Sequence, residues 1–307
     1  MTAGPLDLPR TQVREEAVDA TPLGRGGRSA QLRITASHLL LVLALLIGWV
    51  FAYLWLFSRF EESHAQSGLY GTLRSELAQG TAPMQAPIAS GAPVALLDIP
   101  DAGVHHVVVA EGTTPETLEH GPGHALGSVL PGQAGVSVLL GRSLSFGAPF
   151  GKLKDLAPGD AITVVTNEGT FRYVVTDLRR KGDPVPAGLP SGGSRLTLVT
   201  STGQGSNASL APGDTLYVDA TLHGKAQPAG AVAAADPAGA PMARDVTTAT
   251  LAEVALALEL LIGAFAGIGW LRARWSATGS WMVGAPVLLA ALWLVSSLAA
   301  RLLPNLV

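Results

Sequence analysis

The side chains available for chemistry are limited first by the absence of cysteine from all 307 residues. Cysteine nucleophiles, disulfides, thiolate metal sites and haem-attachment motifs are therefore excluded. Serine hydroxyls and histidine imidazoles remain as candidate nucleophiles and bases. The histidines of the central region are His105, His106, His120, His124 and His223. The Gly-Pro-Gly between His120 and His124 prevents a helix that would bring both imidazoles to one metal ion, so we predict no metal site. We also predict no cofactor.

The composition excludes several classes of protein. Hydrophobic residues make up 48% of the chain and charged residues only 14%, which is too apolar for a soluble cytosolic enzyme. The net charge of -3 gives no electrostatic basis for binding nucleic acid. The 36 glycines and 21 prolines predict turns and spacers, and they argue against an all-helical transporter.

The first apolar run predicts a transmembrane helix over residues 39–57. This run contains no charge, and at about 1.5 Å per residue it spans the hydrocarbon core of about 30 Å. Arg25, Arg28 and Arg33 precede it, so the positive-inside rule places residues 1–38 in the cytoplasm. Its length and flanks argue against a cleaved signal peptide and predict a retained membrane anchor.

Two further apolar runs predict transmembrane helices over residues 249–271 and 281–303. The short loop between them carries Arg272 and Arg274, so we expect the tip of this helical hairpin in the cytoplasm. Three spans then leave the intervening chain outside the membrane. The predicted location is the cell membrane, with an extracytoplasmic central domain.

One acidic residue and one glycine pair in the second span suggest a helix partner. Glu259 lies within an apolar run, where a carboxylate is either functional or reaches the membrane surface. Gly263 and Gly267 have the GxxxG spacing that lets another helix approach closely. A helix–helix contact through these three residues is one hypothesis about partners.

Two spacers connect the membrane segments to the central domain. Residues 58–90 combine a short amphipathic helix, with Leu69, Leu73 and Leu77 at helical spacing, and a proline-rich linker. Residues 224–248 are rich in alanine, proline and glycine and contain few large apolar side chains. Such a segment buries too little surface to offset its ordering entropy, so we predict a flexible tether.

The central domain, residues 91–223, has the pattern of a β protein. Short β-branched runs alternate with glycine- and proline-containing turns, which predicts a barrel or sandwich flanked by transmembrane helices. The predicted strands are residues 104–110, 135–140, 161–166, 171–178, 195–200 and 215–222.

The same domain resembles the sortase family, in particular the membrane-anchored class D and class E sortases of actinobacteria. The resemblance extends over about 130 residues, and its motifs keep their order. They are IP at 99–100, EGT at 111–113, GPGH at 121–124, LPG at 130–132, GAPFGKL at 147–153, PGD at 158–160 and TLVT at 197–200. The resemblance implies a β-barrel of the kind that cuts a sorting signal and joins it to the cell wall or a pilus.

Sortases use a cysteine, a histidine and an arginine, and the resemblance places substitutions at all three positions. The cysteine position is Ser201, the histidine position is Arg142 and the arginine position aligns with Thr215. Serine needs an adjacent base, and arginine cannot be that base because it remains protonated. His124 belongs to the GPGH motif, and we expect it to shape a loop.

Three hypotheses about function follow. The first is a catalytically inactive sortase relative that binds an extended, sorting-signal-like peptide or a cell-surface assembly partner, with Arg142 and Ser201 contacting the peptide. Under this hypothesis Arg142 binds a carbonyl or carboxylate, whereas the alternative is a solvated surface charge. The second is an active peptidase or transpeptidase that uses Ser201 with a base foreign to the family. The third is a structural module for membrane assembly.

Overall fold

The computed structural model describes residues 40, 44–45, 47–49, 51–203 and 213–307. The predicted cytoplasmic tail, residues 1–38, lies outside the described residues, as does part of the predicted first span. The chain from Tyr53 to Phe57 forms a π-helical turn and continues into helix α1, Ser58–Gln79.

A closed barrel of eight strands forms the centre of the described chain, in the order β1-β2-β3-β4-β7-β8-β6-β5. The strands are β1 Pro93–Ile99, β2 Val104–Glu111, β3 Gly123–His124, β4 Gly135–Leu140, β5 Ala161–Thr166, β6 Gly169–Arg180, β7 Ser194–Thr202 and β8 Asp214–His223. The predicted mainly β class is confirmed. The six predicted runs fall in β2 and β4 to β8. The sequence did not predict β1, which is buried along most of its length and lacks alternation, or the two-residue β3.

The barrel interior is filled by apolar side chains from every long strand and from the loop after β4. The fully buried members include Val94, Leu97, Ile99, Leu139, Phe150, Ile162, Val164, Tyr173, Leu196, Leu198 and Val218. Tyr173 also carries a hydroxyl into the barrel, where it accepts a hydrogen bond from the Gly132 N–H at 2.7 Å. This core fixes the strand ends that carry the candidate site.

Helix α1 packs against the outside of β1 and β2 through its leucines. Leu73 is buried with Val108, and Leu69 and Leu77 pack beside them. Gln66 adds two hydrogen bonds to the main chain of Val108, accepting one at 2.8 Å and donating one at 3.0 Å. Helix α1 is therefore held against the barrel by apolar packing and by hydrogen bonds.

The segment predicted as a flexible tether differs from that expectation. The Ala86 N–H donates to the Ala231 carbonyl at 3.0 Å, and the Gln227 N–H donates to the Gly132 carbonyl at 2.9 Å. Further along, the Thr113 hydroxyl donates to the Gly239 carbonyl at 2.8 Å. Composition missed this because main-chain hydrogen bonds, which need no large apolar side chain, hold the segment along the barrel.

The C-terminal helices form an antiparallel hairpin of α3, Thr248–Arg274, and α4, Ala277–Ala300, and both are long and apolar enough to span a membrane. Gly284 lies against Ile268, where a Cβ would come within 2.6 Å of the isoleucine side chain. Gly263 and Gly267 face open space, and Glu259 is exposed. The hairpin's own contact therefore uses a different glycine from the predicted GxxxG pair.

Candidate functional site

The candidate site lies where strands β4 and β7 end. The two strands are parallel, with Leu140 paired to Val199, so their carboxyl ends meet at the same edge of the barrel. Gly141 continues this pairing, since its N–H donates to the Val199 carbonyl at 3.0 Å. Arg142 follows Gly141 directly, and Ser201 lies two residues after Val199 on β7. Parallel pairing therefore brings them together.

Arg142 is fully buried, so the alternative of a solvated surface charge is wrong. Its guanidinium donates to the main-chain oxygen of Val307 at 3.1 Å, to the Pro115 carbonyl at 3.2 Å and to the Ser145 hydroxyl at 3.3 Å. It also stacks over the Phe146 ring at 4.7 Å from the centroid. These acceptors and the aromatic face offset part of the loss of hydration, and the buried Nε has no hydrogen-bond partner among the described residues.

Ser201 lies on β7 directly opposite Thr215 on β8. Its hydroxyl donates to the Leu306 carbonyl at 2.6 Å. The Ser143 hydroxyl lies 2.5 Å from the Ser201 hydroxyl. Because the single proton of Ser201 is already donated, Ser143 is the donor in this pair. Thr215 is buried, and it stands where the resemblance expects the family arginine.

Both predicted peptide-binding residues thus contact one segment of the chain, residues 303–307. The segment follows helix α4 and folds into a turn, closed by a 3.0 Å hydrogen bond from the Val307 N–H to the Pro304 carbonyl. Its last three residues are buried. The Leu306 carbonyl accepts a second hydrogen bond from the Ser143 N–H at 2.9 Å. Two donors on one carbonyl fix the position of the segment.

Asn305 lies in a pocket of main-chain carbonyls. Its side-chain nitrogen donates to the Ala238 carbonyl at 2.8 Å, to the Ala240 carbonyl at 3.0 Å and, at 3.4 Å, to the Thr113 carbonyl. The Asn305 N–H donates to the Ala243 carbonyl at 2.9 Å. The alanine-rich segment, residues 224–248, therefore forms one wall of the site.

Leu306 completes the contact with an apolar pocket. Its side chain is fully buried and packs with Leu118, Leu140 and Val199. Met242 lies at the edge of the same cluster. Strand β4, strand β7, the short helix α2 (Pro115–Glu119) and the alanine-rich segment thus surround one leucine.

Glu119, Arg142 and Arg301 are three charged residues that lie near the site. Burial raises the pKa of Glu119 to about 7, and the neighbouring Arg301 and Arg142 act against this rise. Arg301 forms an ion pair with Glu119 at 3.5 Å. Burial also lowers the pKa of Arg142 to about 10, opposed by Glu119. Arg142 therefore remains a cation at neutral pH.

His124 is held away from proton transfer by its own partners. Its Nδ1 lies 2.8 Å from a carboxylate oxygen of Glu111. Its Nε2 lies 3.0 Å from both the Val129 carbonyl and the Ser128 hydroxyl. These bonds tie the GPGH segment to β2 and to the following loop, as expected for a loop-shaping residue. Within the described chain, the hydrogen-bond partners of Ser201 include no imidazole or carboxylate.

Comparison with known proteins agrees with this architecture. Residues 97–218 match the family described as the sortase domain. The chain is a sortase-domain protein. The match begins in β1 and ends in β8, so it covers nearly the whole barrel. The sortase domain of this chain has no cysteine, and Ser201 stands at the end of the strand where the resemblance expects one.

Solved sortase structures are similar to about half of the chain. The sortase D5 transpeptidase of Clostridium perfringens is 24% identical, over 52% of this chain and 99% of that chain, with a TM-score of 0.44. A sortase E mutant from Streptomyces avermitilis is 31% identical, over 46% and 93%, with a TM-score of 0.36. Sortase C of C. perfringens with the C-terminal cell wall sorting motif is 21% identical, over 53% and 90%, with a TM-score of 0.38. No curated protein matches the chain.

Sequence reasoning named Arg142, Ser201 and Thr215 as candidates but not the residues that surround them. It gave no role to Ser143, Glu119 or Asn305. The Leu-Pro-Asn at 303–305 was a visible signal, because proline and asparagine after an apolar helix predict a turn. Its position between β4, β7, helix α2 and the alanine-rich segment, here called the groove, depends on where the hairpin returns.

Proposed function

We propose that this sortase-domain protein is a membrane-anchored peptide-binding protein that does not cleave its ligand. One observation carries the proposal: Arg142 and Ser201 both donate hydrogen bonds to main-chain oxygens of a single peptide segment. Main-chain recognition of this kind suits a groove that holds a peptide. The segment forms a turn, so the ligand we propose is a turned peptide instead of the extended one expected from the sequence.

The chemistry at the two positions supports binding without turnover. A serine nucleophile requires a group that takes its proton, and the partners of Ser201 are a hydroxyl and a peptide carbonyl. Arg142 is a hydrogen-bond donor at every physiological pH. The Ser201 proton stabilises a bound carbonyl, while the guanidinium holds the next residue of the ligand.

The ligand class that we propose is a sorting-signal-like peptide, as the family resemblance implies. The segment in the groove begins Leu-Pro-Asn at residues 303–305, in the manner of an LPxTG-like peptide. Its next residue, Leu306, presents the carbonyl that Ser201 contacts. A secreted protein with a similar sequence is therefore the natural partner to test.

The membrane arrangement that we propose has the N-terminus in the cytoplasm and the barrel outside. Helices α3 and α4 are the two candidate spans among the described residues. The start of α3 and the end of α4 both adjoin the barrel, since Arg244, Asp245, Thr247 and Arg301 line one pocket with the Thr114–Glu116 segment. This geometry supports a hairpin whose tip lies on the opposite side of the membrane.

The test is a combined binding and turnover assay on the full-length protein in detergent, with LPxTG-like peptides. We expect peptide association by fluorescence anisotropy, weakened about tenfold or more by Arg142→Ala, and no cleavage products by mass spectrometry. Arg172→Ala, which changes an exposed arginine on β6, is the matched control. Cleavage that disappears in Ser201→Ala would overturn the proposal and establish serine-based sortase chemistry.

A further inference from the structure

We propose that the groove selects an asparagine followed by a leucine, and that Asn305 and Leu306 of this chain occupy it as a ligand in cis. A peptide in trans binds by displacing them. The inference rests on the proposed function, because it names the ligand of the same groove. Its evidence is the chemistry of the two subsites.

The first subsite accepts a primary amide because every polar group facing Asn305 is a carbonyl. Three carbonyls, those of Thr113, Ala238 and Ala240, surround the side-chain nitrogen. An aspartate side chain here would bring its negative charge against these carbonyl oxygens and would have no hydrogen to donate to them. An apolar side chain would leave these carbonyls without their donor. The asparagine nitrogen satisfies these carbonyls, while its buried Oδ1 has no hydrogen-bond partner among the described residues.

The second subsite contacts both the side chain and the carbonyl of the leucine. The Leu306 side chain is fully buried and packs with Leu118, Leu140 and Val199. Its carbonyl receives the Ser143 N–H and the Ser201 hydroxyl. The apolar pocket fixes the residue type, and the two donors fix its position along the groove.

Covalent connection makes the cis ligand a strong competitor. The segment follows α4 directly, and Arg301 at the junction pairs with Glu119 beside the groove. A ligand joined this closely has an effective concentration in the millimolar range. A peptide in trans therefore binds weakly until the cis segment is released, so the hairpin regulates access to the groove.

Asn167 provides a matched control for Asn305. Its side-chain nitrogen also donates to main-chain carbonyls, those of Gly80 at 3.3 Å and Ala82 at 2.9 Å. These acceptors lie at the end of α1, and none of them belongs to the groove. Asn305→Asp and Asn167→Asp thus make the same chemical change at two carbonyl sites, and only the first affects the proposed ligand.

The first measurement is hydrogen–deuterium exchange on the full-length protein in detergent. We expect Asn305→Asp to accelerate exchange at least tenfold in residues 305–307 and at Ser143, while β7 and β8 stay protected. Asn167→Asp should leave both groove segments unchanged. Two results would overturn the inference that Asn305 and Leu306 occupy the groove. One is equal protection of residues 305–307 in the wild type and in Asn305→Asp, and the other is absence of protection there in the wild type. The protected strands show that the variant is folded.

The second measurement is fluorescence anisotropy with a labelled peptide, Arg-Leu-Leu-Pro-Asn-Leu-Val, and its Asn-to-Asp form. We expect the Asn305→Asp protein to bind the asparagine peptide at least tenfold more tightly than the wild type does, and to bind the aspartate peptide at least tenfold more weakly. If the wild type and Asn305→Asp bind with equal affinity, and the asparagine and aspartate peptides are also bound with equal affinity, this inference is refuted and the proposed function stands. Absence of binding to either protein, by this peptide and by LPxTG-like peptides, would refute the proposed function itself.

Discussion

A buried guanidinium occupies position 142, where the family resemblance expects a histidine. Its three hydrogen bonds end on the main-chain oxygens of Val307 and Pro115 and on the Ser145 hydroxyl. A permanently charged donor cannot shuttle a proton, but it can hold carbonyl oxygens in place. At the residue scale, the substitution therefore replaces a side chain that can transfer protons with a fixed hydrogen-bond donor.

Removing this guanidinium should destabilise the protein. Arg142→Ala leaves several buried acceptors without a donor and opens a void beside Phe146, so we expect a loss of about 2–4 kcal/mol of unfolding free energy. Arg142→Lys should restore only part of it, because an ammonium lacks the planar fork of donors. Thermal unfolding in detergent measures the effect. An equal change in the exposed control Arg172→Ala would contradict the assignment.

Glu119 should make stability depend on pH near neutrality. Burial raises its pKa to about 7, so the folded chain binds the proton more tightly than the unfolded chain does. The contribution to stability is therefore fully present below about pH 4 and is lost as the pH rises through about 7, by at most about 3 kcal/mol. We expect Glu119→Gln to remove this part of the pH dependence of the unfolding temperature. Glu116→Gln, an exposed change in the same short helix, should leave it intact.

Among the structural elements, the alanine-rich segment has the least expected role. Small side chains let its backbone approach the barrel, so that the carbonyls of Ala238, Ala240 and Ala243 face Asn305. Gly239 lies against Thr113 so closely that a Cβ would overlap the threonine hydroxyl. The segment is thus a wall of the groove whose position depends on the absence of side chains.

A methyl group at position 239 should displace this wall. We expect Gly239→Ala to cost about 1–3 kcal/mol of unfolding free energy and to accelerate amide exchange at Asn305, because the carbonyl pocket moves. The control is Gly188→Ala, where an added Cβ has no neighbour within 4 Å. Unchanged exchange at Asn305 in Gly239→Ala would show that the pocket does not depend on this contact.

For the whole molecule, one cluster joins the hairpin to the helix that leads into the barrel. Glu61 accepts hydrogen bonds from the Trp293 indole at 2.6 Å and from the Tyr53 hydroxyl at 3.0 Å. Phe57 packs on Trp293 with ring centroids 5.0 Å apart. Helices α1 and α4 are thereby connected about two turns before α4 ends. The hairpin is therefore held to the barrel both through α1 and through residues 303–307.

The proposed topology can be tested with single cysteines, because the natural chain has none. Val185 is 82% exposed on the barrel, and Thr278 is exposed near the tip of the hairpin. In intact cells, a membrane-impermeant maleimide should label Val185→Cys and should label Thr278→Cys only after permeabilisation. The cysteine-free wild type gives the background. The reverse labelling pattern would invert the topology.

The sequence by itself determined the local features of the protein. Alternating β-branched runs specified most strands, apolar runs specified the helical hairpin, and the motif order located Arg142 and Ser201. The absence of cysteine excluded the family's own nucleophile. Each of these properties depends on residue type and short spacing, which the sequence displays directly.

Only the tertiary structure decided what fills the groove. Asn305 meets the Thr113 carbonyl across 192 positions of the chain, and Arg142 meets Val307 across 165. These contacts end on main-chain carbonyls, which every residue possesses, so no residue pattern marks them in advance. Their formation depends on the hairpin returning the chain to the barrel. The physical reason is that main-chain hydrogen bonds between distant segments are specified by the fold and not by local side chains.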